Sequence, residues 1–168
     1  IAAQWYGGSA RDVALVLGLL SAAPAAGAFV AGVLSGPVSR SRWQGRVIVG
    51  SIVVWGLAIA AFGLTRWLPL ALGFLALAGA ADTVSAILRT TILQAATPDE
   101  FRGRLQGVFT VVVAGGPRLG DVEAGAVAAA FGETVSVVSG GLVCVGLSIA
   151  LAARFRGYGT GQRPSDYQ

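Results

Sequence analysis

Charge is missing from long stretches of this sequence, and that constrains the fold more than any other feature. Val13 to Ser39 carries no charged residue, and neither do Val47 to Thr65, Trp67 to Ala81 and Thr134 to Ala153. A hydrocarbon layer of about 30 Å is crossed by roughly 20 helical residues at about 1.5 Å each. Three of the stretches reach that length or come within a residue of it. The one from Trp67 is interrupted by Asp82 but stays apolar beyond it. Only 12% of the chain is charged and 55% is hydrophobic, about half the charge that a water-exposed domain carries. Such apolar content excludes disorder. The 25 glycines have no triplet period, which excludes collagen, and no run of alternating polarity points to a membrane barrel. The expected class is all-α, a polytopic membrane bundle.

Breakers and turn residues divide the chain into five transmembrane helices, expected at about 11–35, 47–64, 68–96, 98–131 and 133–153. Residues 1–10 form a lead-in on the outer side, and the Gly-rich, polar 154–168 a disordered cytoplasmic tail. Gly36-Pro37 ends the first helix, because Pro cannot extend the hydrogen-bond ladder. Thr65 to Pro69 make a tight turn, with Trp67 as interfacial anchor. Thr97, Pro98 and Glu100 have the spacing of a capping box with Pro at the first helical position, which predicts a helix start near Pro98. Threading the loops alternately puts Arg40, Arg42, Arg46, Arg102, Arg104, Arg154, Arg156 and Arg163 on one side and only Arg11 and Arg66 on the other. The positive-inside rule makes the richer side cytoplasmic. The basic balance is thereby accounted for by topology, and no nucleic-acid partner is expected. The sequence contains no Met, and five is an odd number for paired repeats, so the expectation is a piece of a longer protein.

Ionisable groups at membrane depth are costly, and each needs a partner or a task. Asp82 and Arg89 share a face of the third helix, with Ser85 between them, but a rise of roughly 10 Å is long for a direct ion pair. In the fourth helix, Gly115-Gly116-Pro117 is a candidate kink or unwound point. Arg118 and Asp121 follow at i and i+3, where they can pair, and Glu123 points the other way. Each group has a structural reading, a network that locks helix packing. Each also has a functional one, in substrate contact, coupling or conformational switching. Small residues four apart make stripes: Gly18, Ala22 and Ala26; Ala23, Gly27 and Ala31; Gly32 and Gly36; Gly116 and Gly120. These allow close backbone approach. His is absent and Cys144 is the single cysteine, so no metal site, cofactor or internal disulfide is expected, nor any nucleophile–base pair of an enzyme.

Three segments resemble the major facilitator superfamily, within it the group of siderophore exporters and drug:proton antiporters. They are GAFVAGVLSG with the basic loop SRSRWQGR (Gly27 to Arg46), AGAADTVSAILRTTILQAATPDEFRGR (Ala78 to Arg104), and AGGPRLGDVEAG (Ala114 to Gly125). The resemblance implies a partial major facilitator fold, the last five of twelve helices, in a bacterial inner membrane. It also implies export of a small molecule against a proton gradient by alternating access, with a missing N-terminal half as partner and lipid around the bundle. Of the family's cytoplasmic loop motif, Gly36, Arg40, Arg42, Gly45 and Arg46 are present, and its acidic residue is not. A competing expectation is a truncated fragment or scaffold with no transport of its own.

Overall fold

The computed structural model describes residues 10–36 and 43–154. Arg40, Arg42 and Pro37, residues 1–9 of the lead-in and the tail beyond 154 lie outside the described residues. Among the described residues there are five long helices and no strand: α1 (Ala10–Leu34), α2 (Gln44–Leu64), α3 (Leu68–Ala96), α4 (Arg102–Phe131) and α5 (Glu133–Arg154). The connections are short because the breakers act locally. Thr65 leaves helical geometry at α2's end, where its amide donates to the Phe62 carbonyl at 3.1 Å. Pro69 lies in the first turn of α3, where its missing N–H costs nothing. Gly132, at φ +93°, turns the chain from α4 into α5.

Two boundaries differ from the sequence reading. Gly45 and Arg46 belong to the first turn of α2, which opens at Gln44, and are not loop residues. The capping box at Thr97 is not formed. Thr97 closes α3, its hydroxyl donating back to the Leu93 carbonyl. A 3₁₀ turn over Asp99–Phe101 is interposed, in which the Phe101 amide donates to the Pro98 carbonyl at 3.0 Å. The α-helix begins only at Arg102, without a side-chain cap, so Glu100 has lost the register a capping box needs. The same threonine hydroxyl that caps a helix start also back-bonds at a helix end, and here the second use prevails.

In space the helices follow the order α1, α3, α2, α5, α4, each packing on the next. The buried apolar residues are mostly alanine: Ala31, Ala58, Ala60, Ala71, Ala78 and Ala81, with Val16 and Leu88. Leu15, Phe29, Val33, Leu64, Val111, Leu119 and Val143 point outward. A water-soluble core puts the large apolar residues inside. The reversed arrangement suits a solvent as apolar as leucine, where close backbone contact holds helices together. That contact is direct at two seams. A Cβ added to Gly27 would lie 1.8 Å from the Ala76 carbonyl oxygen, and one on Gly79 2.1 Å from that of Pro24. Between α2 and α5, Gly56 and Gly141 meet in the same way, with a Cβ on Gly141 2.5 Å from the Gly56 oxygen. Of the expected stripes, Ala23, Gly27 and Ala31 lie on the packed face, whereas Gly18, Gly32, Gly36, Gly116 and Gly120 look into open space.

Candidate functional site

The charged groups singled out in the sequence fall into two separate places. On α3, Asp82 and Arg89 do meet: a guanidinium nitrogen of Arg89 lies 3.7 Å from a carboxylate oxygen of Asp82. The length of the arginine side chain bridges the two turns that the rise alone leaves open. The Arg89 side chain is 44% exposed and that of Asp82 64%. The Nε of Arg89 also donates to the Ser85 carbonyl at 3.3 Å, which fixes the side chain along the helix. Ser85 itself is only 2% exposed, and its hydroxyl has no hydrogen-bond partner. Neighbouring hydroxyls behave otherwise. Thr83, Thr90 and Thr91 each donate to the carbonyl four residues back, at 2.8–2.9 Å, the usual solution in an apolar setting.

On α4, the helix runs unbroken through Gly115, Gly116 and Pro117, so of the two readings of this segment the unwound point is not formed. Arg118, Asp121 and Glu123 all lie on its exposed surface. Arg118 and Asp121 share a face but make no ion pair among the described residues. An i,i+3 pair is worth only about 0.2–0.5 kcal/mol, too little by itself to hold two free side chains together. Among the described residues, the helix on which α4 chiefly packs is α5, beyond its own 3₁₀ turn. Only Phe109, Val127 and Ala128 of its described side chains are half-buried. One specific tie exists: the buried Ser136 hydroxyl on α5 donates to the Ala124 carbonyl at 2.8 Å.

At the start of α2, Arg46 lies over the ring of Trp43, 4.1 Å from its centroid. The sequence reading gave both residues a place in the loop and missed the stack. The i, i+3 spacing of an aromatic and an arginine at a helix start was the available signal. The groups capable of chemistry among the described residues are therefore guanidiniums, carboxylates, hydroxyls and the thiol of Cys144. No cluster of metal-ligating side chains occurs among the described residues.

Four of the helices, α1, α2, α3 and α5, are long and apolar enough to cross a bilayer. α4, at 30 residues, is long enough, but its charges lower its hydropathy below the others. A multi-pass membrane bundle with alanine–glycine seams and an exposed, charged helix is the class of protein these features define. Its relatives are exporters. The chain is 35% identical over 153 residues to the enterobactin exporter EntS of Citrobacter koseri, covering 90% of this chain and 36% of that protein. It is 33% identical over 137 residues to the EntS of Salmonella choleraesuis, and 31% identical over 137 residues to that of Escherichia coli O139:H28, covering 80% of this chain and 33% of each relative. The resemblance to major facilitator exporters read from the residues is thus upheld. The chain spans only about a third of the length of the relatives it matches. No family model matches, and no solved structure does.

Proposed function

We propose that this chain is the C-terminal part of a secondary active exporter that carries a siderophore or a hydrophobic, drug-like molecule out of a bacterial cell. Similarity to enterobactin exporters over most of the chain carries this reading. All five helices cross the inner membrane, and the C-terminus faces the cytoplasm, on the side of the arginine-rich turns. The remaining two thirds of a relative-length protein supplies the partner half, packed over the exposed charges of α3 and α4. Asp82, Arg89, Arg118, Asp121 and Glu123 then line the space between the halves. Two halves rocking about a central site give alternating access, and an inward proton flux drives the outward step.

The test is siderophore secretion by a strain lacking its own exporter, complemented with the complete reading frame that contains this chain. Arg118→Gln and Asp121→Asn are expected to lower secretion at least tenfold at equal membrane abundance, whereas Thr110→Ala on the same helix leaves it unchanged. Equal secretion by all three variants would remove α4 from the transport path. A second reading, that the chain alone is an inactive fragment, is favoured by the uncovered surface of α4. Proteoliposomes holding only this chain are expected to show no substrate movement under a pH gradient.

A further inference from the structure

α2 and α3 leave between them an open groove of about 380 Å³. Val47, Gly50 and Val54 of α2 face Leu77 and Val84 of α3 across it, and Ser51 supplies the one hydroxyl in its lining. From Val47 to Val54 the groove follows about 10 Å of helix, a third of a hydrocarbon core. Its upper end has a definite chemistry. Arg46, Val47, Gly50 and Val54 share one face of α2, and Trp43 caps that helix three residues before Arg46. Arg46, stacked on Trp43, is therefore the residue next to Val47 at the end of the apolar trough.

We propose that this groove and the Arg46–Trp43 stack form a site for one anionic glycerophospholipid, its acyl chain in the groove and its headgroup phosphate on Arg46. Tryptophan favours the headgroup level of a bilayer, and a guanidinium pairs with phosphate through two parallel donors. The stack holds that guanidinium in place before any lipid arrives. No acidic residue occurs anywhere in α2, so a headgroup ammonium meets no counterion on this helix, while a net negative headgroup meets Arg46. One basic residue at an anionic lipid surface corresponds to a preference of about fivefold.

Native mass spectrometry of the full chain in detergent micelles, with phosphatidylglycerol or phosphatidylcholine of matched acyl chains, tests the assignment. One phosphatidylglycerol is expected to be retained, about fivefold over phosphatidylcholine. Arg46→Gln should abolish that preference and leave the apolar contribution. Gly50→Leu should lower retention of both lipids alike. A Cβ at Gly50 meets nothing within 4 Å, so the leucine enters the groove without moving the backbone. Ala80→Leu fills the same space from α3 and is expected to act likewise, which keeps the test intact if one variant misfolds. Equal retention of the two lipids by the unaltered chain would overturn the proposal. So would binding of glycerol phosphate as tight as that of the whole lipid, or a dimer that dissociates on Gly50→Leu, since a second copy would then occupy the groove.

Discussion

At Gly27 and Gly79 the absence of a side chain is what brings α1 and α3 together. Gly79→Ala would drive a methyl into the Pro24 carbonyl, and the helices would have to part. Overpacking of this kind costs about 1–3 kcal/mol. Gly18→Ala meets nothing within 4 Å, removes a flexible residue from a helix interior and should stabilise slightly, by up to about 1 kcal/mol. Unfolding midpoints in mixed micelles, followed by circular dichroism, are expected to separate the two in opposite directions. Ser85→Ala should be neutral or stabilising by the same measure, because a buried hydroxyl without a partner costs about 1–3 kcal/mol. The sequence showed small-residue stripes but not which one packs. Gly18-Ala22-Ala26 and Ala23-Gly27-Ala31 have equal spacing, and only the bare backbone of Ala76 on the partner helix distinguishes them. The Asp82–Arg89 pair was hidden for a related reason: helical rise measures Cα positions, and the reach of arginine is set by its rotamer.

Among the elements, α4 stands apart. α1, α2 and α5 were readable from charge-free length, and α3 from apolar length that continues past Asp82, both properties of the helix itself. The start of α4 was misread because Thr97 has two local uses, and the choice depends on how α3 ends rather than on the capping pattern. Its dependence on α5 was not readable at all, since Ser136 finds Ala124 only once both helices are formed. α4 is held along one side, so its amides should exchange with deuterium faster than those of α2 or α3 in the isolated chain. Ser136→Ala should raise exchange over residues 120–130 further, with α1 to α3 unchanged. Equal protection of all five helices would show that α4 is bound more firmly than its contacts indicate.

For the molecule as a whole, orientation is the property that the loops encode and that packing leaves open. With Cys144 replaced by Ser, a lone cysteine at Trp67 is expected to react with a membrane-impermeant maleimide added outside cells, and one at Gln44 only after the membrane is opened. The reverse pattern would invert the topology. Helix number and membrane class were legible because a bilayer imposes length and apolarity on each segment separately. The substrate and the surroundings of the α4 charges were not, because the chain spans only about a third of the length of the exporters it matches.

The order of the helices in space differs from their order in the sequence, and synthesis has to contend with this. α1 packs on α3, not on α2, so α1 enters the membrane before its partner exists. The roughly fifty residues that separate Gly27 from Gly79 take about 3–10 s to translate at about 5–20 residues per second. For those seconds the flat strip around Gly27 lacks the α3 surface that covers it, and it is during that delay that a chaperone or a membrane protease would encounter the nascent protein.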